Sequence, residues 1–335
     1  MAMSDEFDAL MRNGTWKFIS PSPTLNVVGN KWVFRIKRNA DGTVSRYKAH
    51  LVAKGFNSSK ADTSLYVRHK NSLLIYILVY IDDIIITGTI AQEVQTVTRQ
   101  LANEFAIKDL STLHYFLGIE ATRSSSGLYL SQTKYALDLL KKTNMEAAKP
   151  MSSPSSTSHL SRTCGQPFSD PTLYRSTVGS LQYLTLTRLD IPYSVNKVCQ
   201  YMHSPTTEHW VAIKRILCYI KDTLDLGIYL CVSSSLHLSA YTDADWTGCS
   251  DDRLSTGGYC IYLGDNLVYW GSKKQHTVAR TSPESKYKAL ANASAELIWV
   301  QQLLADLGVS SPVPLLCCDN IGATYLAANP LFENM

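Results

Sequence analysis

Two adjacent carboxylates, Asp82-Asp83, interrupt a long apolar stretch of this 335-residue chain. Leu73–Val79 precedes Tyr80-Ile81-Asp82-Asp83 and Ile84-Ile85-Ile86 follows it, so both flanks read as buried strand. Charges in such a place need compensation, and a divalent metal is the usual compensator for clustered carboxylates. The plainer alternative is a polar turn at the tip of a hairpin. A second acidic set stands in the last hundred residues. A strand over 236–243 puts Leu238 and Ala240 on one face and Asp243, with Asp245, on the other. Asp319 follows a strand over 314–318, so Asp243 and Asp319 each close a strand at its carboxyl end, the edge where open α/β sheets bind ligands.

The third chemical feature is basic. Between Asn30 and Lys60 stand Lys31, Arg35, Lys37, Arg38, Arg46, Lys48, Lys54 and Lys60, opposed only by Asp41. This stretch carries +7 in a chain whose net charge is +4, a density that suits a polyanion, although a solvated hairpin face would also carry it. Trp32, Phe34 and Ile36 alternate with Lys31, Arg35 and Lys37, and Asp41-Gly42 supplies a turn into a return strand, Val44–Val52. The expected product is a basic β-ribbon suited to phosphate contacts without base readout.

The elements that must position these groups follow from periodicity. A short helix over 5–11 and a Pro-rich connector, Ser20–Pro23, precede the ribbon. After the Asp-Asp hairpin come a helix over 93–105, strands over 113–120 and 127–132 around a Ser-rich turn, and a helix over 134–142. Residues 149–170 are rich in Ser and Pro and read as a linker. Helices over 174–187, 193–202 and 208–221 follow; in the last, Ile213, Ile216, Leu217 and Ile220 form the inner stripe, and Lys214, Arg215 and Lys221 read as solvated face. The terminal part predicts a strand over 236–243, a hairpin of 258–263 with 267–271, a strand over 275–281, a helix, a strand over 314–318 and a helix from Ile321.

Composition bounds the reading. At 45% hydrophobic and 18% charged the chain is globular. Asp82 and Asp83 cut its longest apolar run, so no bilayer span is expected, and no secretory leader is evident; the expectation is a cytoplasmic or nuclear protein. Eight cysteines lack metal spacing and read as reduced, mostly small core residues.

Taken together, the segments resemble the reverse transcriptase–ribonuclease H region of a copia-type retrotransposon Pol polyprotein. The resemblance is carried by Asn13-Gly14-Thr15-Trp16, Lys31–Arg35, Arg46–Ala49 with Leu51–Phe56, Tyr80–Gly88, Leu113–Glu120, Val178–Thr185, Tyr241–Trp246, Trp270–Gln275 and Cys318-Asp319-Asn320. It implies a multidomain α+β and α/β architecture: a fingers remnant with the basic ribbon (1–60), a partial polymerase palm (61–148), the linker (149–170), a helical thumb or connection (171–235), and a truncated ribonuclease H-like mixed sheet with helices (236–335). It implies two-metal phosphoryl transfer with Mg2+ or Mn2+, with Asp82 and Asp83 as polymerase and Asp243 and Asp319 as ribonuclease H carboxylates. Lys31, Arg35, Lys37, Arg46, Lys48 and Lys54 would contact nucleic acid, and the implied partners are RNA, DNA and their hybrid.

Four departures from that pattern point to an inactive copy. Phe56-Asn57 runs almost directly into Ala61-Asp62, where the family carries a long segment with a further palm aspartate. The ribonuclease H glutamate position is read as Lys286. With Ser282 as N-cap and Pro283 first in the helix, the inner stripe runs Leu290, Ala293, Leu297, Val300, Leu304, Leu307, and Gly308 ends it. Position 286, four before Leu290, faces the sheet, whereas Glu284 pairs outward with Lys288. The sequence ends at Met335, before the family's fourth acid, and His50 stands where an arginine is usual. A non-catalytic, sequence-independent nucleic-acid-binding remnant is the alternative reading.

Overall fold

The computed structural model describes residues 30–38, 43–53, 57–59, 61–70, 73–80, 83–105, 108–155, 160–233 and 235–328, with backbone alone for 30–38, 44–53 and 57–58. The expected helix over 5–11, the Asp41-Gly42 turn, and Lys54 and Asp82 lie outside the described residues. The fold is mixed α+β, with largely antiparallel sheets, in two compact units, Met1–Asp109 and Leu110–Met335.

In the first unit, β1 (Asn30–Arg38) and β2 (Val44–Ala53) form an antiparallel ribbon with an irregularity after Lys37. Arg35 stands opposite Lys48 and Lys37 opposite Arg46. A four-stranded sheet follows, in the order of β3 (Asn57–Ser58), β4 (Leu65–Lys70), β5 (Leu73–Tyr80) and β6 (Asp83–Gly88). Its core is Ile75 and Ile77 against Val97 of α1 (Ala91–Glu104), and each such buried aliphatic contributes about 1.5–3 kcal/mol. The chain passes from β3 to β4 through a short loop held by Ser59, whose Oγ accepts from the backbone of Ala61 and Asp62.

The second unit opens on a sheet of β7 (Tyr115–Phe116), β8 (Ile119–Arg123), β9 (Gly127–Ser131) and β10 (Ile228–Cys231), ordered β10-β9-β8-β7. The single strand expected over 113–120 is instead a tight hairpin. Leu117 and Gly118 both have positive φ (47° and 74°), which reverses the chain in two residues, and the Tyr183 hydroxyl donates to the Leu117 carbonyl. Helices α2 (Thr133–Lys142), α3 (Pro171–Leu184), α4 (Pro192–Cys199) and α5 (Thr207–Asp222) share one core, with Tyr174, Leu181, Ile213, Ile216, Leu217 and Ile220 sealed from solvent. Of the three α5 cations expected to be solvated face, one is. Lys214 is exposed, but Lys221 donates to the Ala148 carbonyl (2.6 Å) and Arg215 to that of Ser153 (3.2 Å), pinning the incoming segment.

A second sheet of the same unit holds β11 (Leu238–Ala244), β12 (Thr256–Leu263), β13 (Asn266–Lys274) and β14 (Leu315–Cys318), ordered β13-β12-β11-β14. Only the β11–β14 pair is parallel. Helix α6 (Ser282–Asp306) lays Leu290, Ala293, Leu297, Val300 and Leu304 inward, the expected stripe, and Gly308 ends it at φ 76°. Its N-cap is Thr281, one residue earlier than expected, because the Thr281 hydroxyl accepts from Glu284 N (3.3 Å). A short α7 (Ile321–Ala327) follows β14.

The strand expected over 275–281 is irregular chain. Its polar groups are spent locally: buried Gln275 donates to the Ser285 carbonyl (2.7 Å), and Arg280 N donates to Glu284, so the segment serves the start of α6. The cysteines also differ from expectation. All eight are free, but they sit half-buried at the margins of the cores.

Candidate active site

Strand alternation and one parallel pairing build this site. In β11 the buried positions are Leu238, Ala240, Thr242 and Ala244, so Asp243 projects to the open side. Thr242 pairs with Cys318 across the parallel β11–β14 ladder, which brings Asp243 and Asp319 together just beyond the last pair. Helix α6 crosses this edge one turn after its cap, and Lys286 reaches down from it. The Lys286 Nζ lies 2.9 Å from Asp243 Oδ1 and 2.7 and 2.8 Å from the two Asp319 oxygens. These are lengths of charge-assisted hydrogen bonds. The Lys286 side chain is 16% exposed, whereas those of Asp243 and Asp319 remain 69% and 65% exposed. The hydrogen bond to Asp319, then that to Asp243, hold the ammonium above its ordinary pKa, so it stays charged.

The neighbouring acids have other duties. Glu284 turns away, pairs with Lys288 at 2.8 Å, and accepts from Arg280 N at 2.8 Å. The Lys288 bond first, then that backbone bond, lower its pKa. Asp245 accepts from Thr256 N (2.7 Å) and its own N–H donates to the Thr256 carbonyl (3.1 Å), closing the 246–255 loop. A Cβ at Gly248 would meet Asp245 Oδ2 at 2.2 Å, so a side chain there would displace the Asp245 carboxylate.

An open groove of about 850 Å³ runs past the carboxylates, between Tyr193, Tyr241, Gly258 and Trp270. Gly258 stands opposite Asp243 and keeps the floor low. Sequence reasoning did not single out Tyr193, whose place depends on α4 packing beside β13. The Trp270–Gln275 motif proves to be scaffold: Trp270 Nε1 donates to the Thr185 carbonyl (3.1 Å). Lys274 holds Asp252 (2.8 Å) and Gln200 (2.7 Å), and Gln275 holds α6.

In the first unit, Tyr80 pairs with Asp83 at the end of the β5–β6 hairpin. Asp83 is half-buried there. Among the described residues, no three His, Cys, Asp or Glu side chains gather to hold a metal, and no helix is long and apolar enough to cross a membrane.

Residues 55–157 match the family described as reverse transcriptase (RNA-dependent DNA polymerase). The chain is 38% identical, over 436 aligned positions, to the retrovirus-related Pol polyprotein from transposon RE2 of Arabidopsis thaliana. It is equally identical to that from transposon RE1 of the same plant. Each alignment takes in 99% of this chain but 30% of the relative, so the chain spans about a third of their length. An alignment of 436 positions exceeds the 335 residues available, so at least 101 positions have no counterpart here. The chain is also 46% identical to an uncharacterised mitochondrial protein of Arabidopsis thaliana, covering 67% of this chain and 93% of that protein.

Proposed function

The chain belongs to the copia-type retrotransposon Pol polyproteins, and from that premise we propose that it is a shortened reverse transcriptase–ribonuclease H portion in which neither activity operates. In this reading residues 1–60 are a fingers remnant, 61–148 a partial palm, 149–170 a linker, 171–235 a helical connection and 236–335 a ribonuclease H-like unit. Asp82 and Asp83 are the polymerase remnant, and Asp243 and Asp319 the ribonuclease H remnant. RNA, DNA and their hybrid are the ligands.

One observation carries the inactivity: the Lys286 ammonium bonds both Asp243 and Asp319. The family's Mg2+ or Mn2+ would need those oxygens, and a fixed positive charge within 3 Å of both is incompatible with a divalent cation held between them. These residues therefore do not fit the metal. The loss of the polymerase is supported separately. The relatives carry at least 101 positions that are absent here, and β3 passes into β4 by a loop too short to supply a further palm strand with its aspartate.

The test is magnesium-dependent primer extension and RNA–DNA hybrid cleavage by the purified chain. No product above background is expected from either. Activity that disappears in Asp83→Asn or Asp243→Asn overturns the reading.

A second reading, sequence-independent nucleic-acid binding, is favoured by the ribbon register, which sets Arg35 against Lys48 and Lys37 against Arg46. Like charges directly opposite destabilise a strand pair, so their concentration here favours a polyanion ligand. With Lys31 and Lys54 they would contact phosphates, and affinity should fall with salt at a slope of about −0.9 per phosphate neutralised on duplex DNA. Charge reversal at the four paired positions should flatten that slope; an unchanged slope removes the ribbon from the interface.

A further inference from the structure

We infer that Lys286 is a resident cation that has taken over the charge-balancing place of a metal between Asp243 and Asp319, making this site indifferent to divalent ions. The inference deepens the inactive reading above and rests on it for the identity of the site. The geometry has three parts. The ammonium donates to both carboxylates at 2.7–2.9 Å. The carboxylates come from different strands, Asp243 on β11 and Asp319 just after β14, and would repel one another at this separation without a cation. The lysine comes from a third element, α6, whose start is fixed by the Thr281 cap and by Gln275 on the Ser285 carbonyl. One ammonium therefore ties two strand ends to a helix. Being covalently tethered, it is present at a high effective concentration that a free ion in solution must overcome.

Glu284 offers no substitute metal ligand, because Lys288 and the Arg280 backbone engage both of its oxygens on the outer side of the helix. Asp245 has one oxygen, Oδ1, held by Thr256 N, which ties that carboxylate to the 246–255 loop. The latent site is then a matter of one side chain. Replacing Lys286 by glutamate presents three carboxylates from three elements to the same point; replacing it by glutamine removes the charge and keeps the length.

The experiment is Mn2+ titration followed by electron paramagnetic resonance, on the full chain and its variants, with folding checked by circular dichroism. The chain and its Asp243→Asn variant should bind the same number of Mn2+ ions. Lys286→Glu should bind one more, and Asp319→Asn added to it should abolish that site. A Mn2+ site in the unaltered chain that Asp243→Asn removes overturns the inference. So do Lys286→Glu and Lys286→Gln proteins that fold and gain no site. Should both variants unfold, acylation of the unaltered chain still decides. Lys286 should react at least about tenfold more slowly than exposed Lys273, as two charge-assisted hydrogen bonds require, and equally slowly with Mn2+ present. Equal rates, or a Mn2+-induced rise at Lys286, overturn it. Hybrid cleavage by the unaltered chain is scored separately: cleavage refutes the inactive reading, whereas a Mn2+ site at Asp243 of the unaltered chain without cleavage refutes only the lysine's place.

Discussion

Arg188 offers the sharpest test of how the second unit is held together. It is the most deeply placed Lys, Arg, Asp or Glu side chain described, 4% exposed, and each of its three nitrogens donates at least one hydrogen bond. Nε and Nη2 bond Asp190 (2.9 and 2.6 Å), Nη1 donates to the Thr223 carbonyl (2.9 Å), and Nη2 also donates to Thr223 Oγ1 (2.6 Å). Thr223 is the C-cap of α5, so the guanidinium neutralises Asp190 and also satisfies a helix-end carbonyl. Burial alone would raise the Asp190 pKa, but the Arg188 hydrogen bond and charge outweigh it and lower it. Arg188→Met keeps an unbranched apolar stem but removes the guanidinium, which lies 5.7 Å over the Tyr219 ring; it leaves Asp190 without its counter-charge and the Thr223 carbonyl without this donor. Removing one member of a buried pair costs about 3–5 kcal/mol. Because Asp190 is 28% exposed and keeps its Tyr219 hydrogen bond, the expectation is the lower end, about 3 kcal/mol, or about 6–12 °C in melting temperature for a unit of this size. Urea unfolding monitored by circular dichroism measures it, with Asp190→Asn as the milder control. Because the pair is buried, the loss should be nearly the same at 0.1 and about 0.5 M salt. A loss below about 1 kcal/mol, or one erased by salt, refutes the assignment of Arg188 as an internal tie and makes it a surface pair.

Three other outcomes follow from the same geometry. Buried His209 accepts from Thr206 N at Nδ1 (3.1 Å) and donates from Nε2 to the Ser161 carbonyl (3.0 Å), and burial lowers its pKa. The folded state thus binds fewer protons than the unfolded chain, so its contribution is full above the unfolded value near 6.5 and is lost as pH falls through the folded value. Stability measured from pH 8 to 5 should fall in that window, and a flat profile would contradict a neutral, capping imidazole. Gly118→Ala should destabilise by about 1–2 kcal/mol, since a left-handed φ of 74° disfavours a Cβ that would also meet the Tyr183 ring at 3.2 Å. A thermal shift of zero would mean that the hairpin relaxes freely. Glu284→Gln should change unfolding free energy by no more than about 0.5 kcal/mol, as exposed i,i+4 pairs do. A larger loss would place Glu284 among the structural ties of α6.

Local patterns in the sequence determined a good deal. The 3.6-residue stripe Leu290 to Leu304 orients α6 from sequence alone, with Lys286 on its sheet-facing side and Glu284 with Lys288 on the other. Two-residue alternation put Leu238 and Ala240 inside and Asp243 outside. Periodicity can do this because a side chain's face is set by its own backbone. It failed where a few residues could satisfy their polar groups in more than one way. The Tyr115–Arg123 segment reverses at Leu117-Gly118, and the chain from Gln275 to Thr281 spends its hydrogen bonds on the start of α6 in place of a sheet edge.

Only the tertiary structure decided the state of the acidic site. Asp243 and Asp319 meet through the parallel pairing of β11 with β14, a contact between distant parts of the chain that no local signal encodes. That Lys286 bonds both at once depends further on the depth at which α6 packs over their ends, set by Ala289 against Gly257, where a Cβ would come within 3.3 Å. The residue types were legible in sequence. Their joint geometry, one ammonium bonded to two carboxylates, required three separate elements to close on one point.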